Sequence, residues 1–215
     1  MKLSGTSPTF LILFALLFTL ALPLTATAEP QTAQGFFNRA NAKIKDGDMV
    51  DGAIADYTKA IELNPKFTDA LIGRGLAKDM KGDSDGAFAD YSKAVELDPK
   101  FAAAYSCRGH AKEDKGDLDG AIADYTKAIE LDPKSVAAYS SRGHTKFLKG
   151  DLDGAIADFS KYIELAPKDA NAYNCRGFFK KTKGDLAGAD EDFAQAAKLK
   201  VLQTTPIPPP PSSHR

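Results

Sequence analysis

The sequence predicts an all-α fold, an α-solenoid built from repeated pairs of helices. A sequence segment recurs along the chain: Gly-Asp, an amphipathic run typical of a helix, and a closing Pro. The closing prolines lie 34 residues apart. A unit of this kind cannot bury its apolar face alone and has to stack on a neighbour. The prolines that set the period are Pro65, Pro99, Pro133 and Pro167.

Each unit is predicted to contain two helices. The first ends at the Gly of Gly-Asp, because glycine adopts the left-handed conformation that stops a helix. The Asp caps the second helix by accepting from free backbone N–H groups. The second helix then runs to the closing Pro, which pushes its preceding residue out of helical geometry. In the third unit, Ala121, Ile122, Tyr125, Ala128 and Ile129 fall on one apolar face of the second helix.

The unit resembles the tetratricopeptide repeat (TPR) family. The resemblance rests on an aromatic residue, Gly four later, Ala twelve beyond that, a second aromatic and the closing Pro. In the third unit these residues are Tyr105, Gly109, Ala121, Tyr125, Ala128 and Pro133. The resemblance covers roughly Ala33 to Gln203 and implies a right-handed α-solenoid. We interpret the chain as a signal peptide (1–28), a linker (29–32), five units (33–67, 68–101, 102–135, 136–169 and 170–203) and a Pro-rich tail (204–215).

Small residues recur at one slot of each helix and predict a close approach between the two. They are Gly75, Gly109, Gly143 and Gly177 in the first helix, and Ala53, Ala87, Ala121, Ala155 and Ala189 in the second. The first unit has Ala40 in the glycine slot and a turn longer by one residue. Tyr162 replaces a small Ala in the fourth unit, which predicts a wider junction there. The fifth unit lacks a closing Pro, so its second helix should continue to about Leu202.

A ladder of charges is predicted between the two helices of each unit. Every first helix carries an Arg and a Lys four residues apart, and every second helix carries one Asp. We expect the Arg to reach the Asp of its own or an adjacent unit. The alternative is a row of bases that binds anions. The bases are Arg39/Lys43, Arg74/Lys78, Arg108/Lys112, Arg142/Lys146 and Arg176/Lys180, and the acids are Asp56, Asp90, Asp124, Asp158 and Asp192.

In a TPR solenoid the first helices line a concave groove, which suits an extended or helical peptide. The groove residues should lie one row away from the packing row, and unlike the packing slots they vary from unit to unit. The alternative is a solvated face without a partner. We call these side chains the groove row: Asp69, Ile72, Leu76, Asp79, Ser106, His110, Glu113, Ser140, His144, Phe147, Asn171, Asn174, Phe178 and Lys181.

The sequence offers little sign of catalysis, and we expect neither a metal nor a cofactor. His110 and His144 recur in one slot, but side chains one repeat apart barely converge on a single ion. Cys107 and Cys175 lie 68 residues apart, two periods of the repeat. At about 10 Å per stacked repeat they are too distant for a disulfide, and we predict two free thiols.

The N-terminal sequence predicts export. An apolar run, Phe10–Leu22, precedes Pro23 and the small residues Ala26-Thr27-Ala28, as in a secretory signal peptide. Cleavage is expected after Ala28, and a retained anchor is the alternative. After cleavage we expect no stable membrane span. The net charge of −1 argues against a general electrostatic grip on nucleic acid.

We therefore interpret the chain as a periplasmic or secreted, non-enzymatic scaffold for protein–protein interaction. Its partner would be a peptide or protein segment bound in the groove. A second hypothesis is an accessory subunit of a cell-envelope assembly or secretion complex, recruited through the groove or the tail. A third is an enzyme, which would need a catalytic constellation that the sequence does not display. The four consecutive prolines of the tail favour an extended, disordered end, with a docking segment as the alternative.

Overall fold

The structure is a computed structural model that describes residues 31–45 and 49–204. The predicted signal peptide, the first Gly-Asp pair and nearly all of the Pro-rich tail lie outside these residues. Within them the chain forms ten helices and no strand, as the all-α prediction requires. The helices are α1 (Ala33–Lys45), α2 (Val50–Leu63), α3 (Thr68–Met80), α4 (Ser84–Leu97), α5 (Ala102–Asp114), α6 (Leu118–Leu131), α7 (Val136–Leu148), α8 (Leu152–Leu165), α9 (Ala170–Lys183) and α10 (Leu186–Thr204).

The helices pack as five pairs, and each pair stacks on the next. α1 packs on α2, α3 on α4 and so on along the chain, while the second helix of each unit also packs on the first helix of the following unit. Apolar clusters cross the junctions between units. One of them joins Leu71 and Tyr91 of the second unit to Ala104 and Ala111 of the third. Because each unit shares its core with a neighbour, these helix pairs form one α-solenoid.

The predicted helix stops are confirmed in the four described Gly-Asp turns. The glycines adopt positive φ angles between 79° and 95°, a region in which a side chain would be strained. All four of the following aspartates, Asp83, Asp117, Asp151 and Asp185, accept a hydrogen bond from the backbone N–H three residues later. Local sequence therefore fixes where one helix ends and the next begins. The glycines are Gly82, Gly116, Gly150 and Gly184.

The first helix requires a glycine at the Gly75 slot because an aromatic ring of the second helix of the same unit packs against it. A Cβ atom added at Gly75 would lie 2.4 Å from Tyr91 Cε1, closer than any real Cβ contact. The rings of Tyr125, Phe159 and Phe193 press in the same way on the later glycines of this slot. The close approach predicted from the sequence is confirmed, and the facing group is this ring.

Several predicted departures from the repeat are also resolved. Ala40 is fully buried in the glycine slot of α1. α10 extends to Thr204, close to the predicted end of the last helix. Tyr162 donates its hydroxyl to Asp169 over 2.6 Å, while a wider junction beside it stays a prediction. Both cysteines are free, as predicted. No helix among the described residues is both long and apolar enough to cross a membrane.

Candidate functional site: the surface of the first helices

The predicted charge ladder is present in every unit, and it lies within the unit. Arg108 donates two hydrogen bonds to Asp124, from Nε to Oδ2 at 2.8 Å and from Nη2 to Oδ1 at 2.7 Å. Lys112 adds an ion pair with Oδ2 at 2.8 Å. The aspartate is only 4% exposed. The same three-residue arrangement joins each of the other Arg/Lys pairs to its Asp, at Asp56, Asp90, Asp158 and Asp192.

The ladder also ties neighbouring units together. Arg74 Nη1 donates to Thr58 of the preceding unit at 3.2 Å, and Arg142 donates to Thr126 at 3.1 Å. Arg176 makes the equivalent bond to Ser160. Because these bases are held by acids and hydroxyls inside the stack, the alternative of a row of anion-binding bases is wrong.

The pKa values of these aspartates reflect two opposing causes. Burial alone raises the pKa of Asp124, but the hydrogen bonds and charges of Arg108 and Lys112 outweigh it and hold the pKa below its ordinary value. The same balance lowers the pKa of Asp56 and of Asp192. These carboxylates therefore stay charged and paired at neutral pH.

First helices of successive units contact one another in two places. α1 contacts α3, and α5 contacts α7. Leu76 and Phe178 are half exposed, at 50% and 51%, although both are large and apolar. The other exposed members of the row are Asp69, His110, His144, Asn171 and Lys181, and its half-buried members are Asp79, Ser106, Glu113, Ser140, Phe147 and Asn174.

Ile72 is the exception in the row. It is buried, with 9% of its surface exposed, in the cluster that contains Leu71 and Tyr91. Its side chain stabilises the stack and leaves little area for a ligand. The sequence placed it in the groove because it occupies the same helical position as Ser106, Ser140 and Asn174, which are smaller and polar.

A pocket of about 480 Å³ opens within this surface between α5 and α7. It brings together four predicted residues from two units: His110, Glu113, His144 and Phe147. Ser141 and Leu148 complete its lining and were not predicted, since each lies one position along α7 from the groove row. The pocket thus joins one carboxylate, two imidazoles and an apolar wall.

The carboxylate of Glu113 is positioned by two buried hydroxyl groups. Thr145 Oγ1 lies 2.7 Å from Glu113 Oε2 and 2.9 Å from the carbonyl oxygen of Ser141, and its one proton can be donated to either; the hydroxyl of Tyr125 donates to Glu113 Oε2 over 3.3 Å. Thr145 is completely buried, as is Tyr125. Two hydroxyls that cannot move away therefore fix the direction of a carboxylate in the pocket.

The apolar side of the pocket is built from stacked rings. The ring of His144 meets Phe159 edge-on, with centroids 5.0 Å apart, and Phe147 stacks on Phe179 at 4.8 Å. Phe178, on the next unit, lies 5.5 Å from Phe147. The aromatic surface of the pocket therefore continues into the fifth unit.

A signal that sequence reasoning missed links the second helix to the groove. Where the second helix carries a Tyr in units two and three, the groove slot twelve residues earlier holds an acid: Asp79 bonds to Tyr91 at 2.7 Å, and Glu113 bonds to Tyr125. Where the second helix carries Phe159, the same slot holds Phe147. In units two to four, a Tyr on the second helix thus accompanies an acid in the groove, and a Phe accompanies an aromatic residue.

Comparisons with known proteins agree with this architecture. A family model described as TPR repeat matches residues 80–116 and 114–150, and one described as Tetratricopeptide repeat matches residues 33–67 and 136–169. Together these segments make up more than half of the chain. No curated protein matches it.

Solved structures with the same fold include a crystal structure of MamA. It is 28% identical, with a TM-score of 0.70, and the alignment covers 76% of this chain and 95% of MamA. YrrB, titled a TPR protein with an unusual peptide-binding site, is 23% identical with a TM-score of 0.64 over 79% of this chain and 87% of YrrB. The first TPR of Spaghetti (RPAP3), bound to the HSP90 peptide SRMEEVD, is 28% identical with a TM-score of 0.53 over 56% of this chain and 94% of that one. The repeated motif, the stacked helix pairs and these matches agree: the chain belongs to the tetratricopeptide repeat family.

Proposed function

We propose that this protein is an exported, non-enzymatic scaffold that binds a peptide or protein segment on the surface of its first helices. The observation that carries the proposal is the pocket between α5 and α7, which opens among side chains that differ from unit to unit. The slots that pack the stack repeat almost unchanged. A surface that the fold does not constrain, and that offers apolar and polar groups together, is suited to recognition.

Three further observations support a peptide as the ligand. Leu76 and Phe178 expose large apolar area that the stack does not bury. The RPAP3 repeat domain, a relative by fold and by 28% sequence identity, is bound to a peptide. A stacked surface of first helices also offers a long, continuous track, which matches the shape of an extended chain.

Binding is tested by affinity purification with residues 29–215 as the bait. We expect one stoichiometric partner, and we expect Leu76→Asp with Phe178→Asp to abolish its capture, because a charge desolvated against an apolar ligand is costly. The matched control is Lys59→Asp with Lys93→Asp, at exposed sites on second helices. Capture that survives the groove variant, or that is lost equally in the control, would contradict the proposal.

Export is tested separately with a reporter enzyme that is active only outside the cytoplasm. Fused to residues 1–40, the reporter should become active, and fused to residues 29–40 it should not, because the apolar run Phe10–Leu22 supplies the export signal. N-terminal sequencing of the mature protein should begin at Glu29. Equal reporter activity from both fusions would contradict export through this segment.

A further inference from the structure

The first helices of units two to five are rich in Lys and Arg, yet few of these bases belong to the groove row. All five Arg and all five Lys of the ladder are engaged by buried aspartates. Lys115, Lys149 and Lys183, which follow or end first helices, pair with Asp85, Asp119 and Asp153 of the preceding unit. The basic side chains are thus drawn away from the groove row.

The formally charged side chains of the groove row are mostly acidic. Its carboxylates are Asp69, Asp79 and Glu113, and its one Lys or Arg is Lys181, at the far end in the fifth unit; His110 and His144 add two imidazoles. An anionic ligand would meet repulsion over the second and third units, whereas a cationic ligand would meet attraction.

The pocket between α5 and α7 offers one particular carboxylate, that of Glu113, to a cationic ligand. Glu113 Oε2 is occupied by the hydroxyls of Thr145 and Tyr125, and among the described residues no bond engages Oε1. A carboxylate fixed by buried donors and open on its other oxygen is prepared to accept a charged hydrogen bond. Phe147 and Leu148, in the same pocket, offer an apolar wall for the stem of a long side chain and for an apolar neighbour.

We propose that the pocket between α5 and α7 binds a Lys or Arg side chain of an extended peptide, with an apolar side chain two residues away resting on Phe147 and Leu148. In an extended chain, alternate side chains point to the same side, so both can enter one face of the groove. This inference rests on the proposed peptide-binding function and adds the charge and pattern of its ligand.

The test is a selection from a phage library of random twelve-residue peptides on immobilised residues 29–215. Peptides that also bind the Leu76→Asp, Phe178→Asp variant are removed first. We expect the survivors to be enriched in a Lys or Arg two residues from a Phe, Leu or Tyr. Selected peptides are then synthesised with a fluorescent label, and their affinities are measured by anisotropy at pH 8.

Glu113→Gln should weaken these peptides about tenfold, because it removes the charge and leaves an oxygen that can still accept from Thr145. Replacing the peptide's Lys by norleucine should cost the same factor, and the two changes together little more, since both remove one interaction. The matched control is Glu130→Gln, on the exposed face of α6 in the same unit, which should leave the affinity unchanged.

Each outcome decides between the proposals. Survivors enriched in acidic or uncharged residues, or peptides insensitive to Glu113→Gln, overturn the basic-ligand inference and leave the scaffold in place. A selection that yields no peptide dependent on Leu76 and Phe178 overturns the peptide-binding function together with the inference.

Discussion

At the scale of single residues, the ladder is a cluster of charges in which the base and acid groups pair with one another. Asp124 would be costly to bury alone, yet it accepts from a guanidinium and an ammonium group at once. The side chain of Arg108 is 20% exposed, and its guanidinium group bonds to an aspartate that is almost completely buried. Such a cluster stabilises the pairing of two helices only if all of its members are present.

Replacing Arg108 by Leu therefore should destabilise the protein by about 2 to 3 kcal/mol, because Asp124 keeps only Lys112. Asp124→Leu should cost more, since it leaves two cations beside an apolar residue. The free energy of unfolding is measured by urea titration with circular dichroism. The control is Lys127→Ala in the exposed Lys127–Glu130 pair, which should cost less than about 1 kcal/mol. Equal small losses for Arg108→Leu and Lys127→Ala would show that the ladder is not stabilising.

The lowered pKa values of Asp56, Asp124 and Asp192 predict how stability depends on pH. A carboxyl whose pKa is lower in the folded state adds stability that is full above its unfolded value, ordinarily 3.8, and is lost as pH falls through the folded value. Urea midpoints should thus be flat from about pH 7 to 5 and decline below about pH 4. The gap between the native protein and Asp124→Asn should shrink over the same range. A gap that stays constant down to pH 2 would contradict a lowered pKa for Asp124.

At the scale of helices, the features that could be predicted from the sequence are those that recur in several units. The helix stops, the Asp caps and the partners of the ladder each appear at least three times at a fixed spacing, so chance matches are averaged out. The pocket could not be predicted in this way, because Thr145 and Leu148 have no identical residue at the equivalent position of another unit. Thr145 occupies a slot that holds Ala77 and Ala111 in other units, and its bond to Glu113 depends on how α7 is placed against α5. Helical position alone also could not show that Ile72 turns into the core.

The close approach of paired helices gives a prediction of its own. Gly75→Ala places a methyl group against the ring of Tyr91 at 2.4 Å, and it should cost about 1 to 3 kcal/mol despite the higher helix propensity of Ala. Tyr91→Leu should be destabilising by itself because it leaves a cavity. In the double variant the methyl group fills part of that space, so the combined loss should be smaller than the sum of the two. Additive losses in urea titrations would indicate that the ring does not cause the glycine requirement.

At the scale of the whole stack, stability comes from interfaces between neighbours. A central unit shares apolar clusters with units on both sides, as the third does through Ala104 and Ala128. Among the described residues, the first and last units share such a core with one neighbour each. In a stack of this kind the free energy is close to a sum of unit and interface contributions, so the ends should open before the middle.

Hydrogen exchange of backbone amides is the measurement that resolves this order. Amides in α5, α6 and α7 should exchange at least about tenfold more slowly than those in α1 and α10, because opening a central unit breaks two interfaces. Arg142→Leu should speed exchange most in units three and four, since Arg142 bonds to both Asp158 and Thr126. Its control, Lys161→Ala in an exposed pair on α8, should leave the profile unchanged. Uniform protection from α1 to α10 would instead mean that the five units open as a single block, and the junction bonds would then have no separate role in holding one unit on the next.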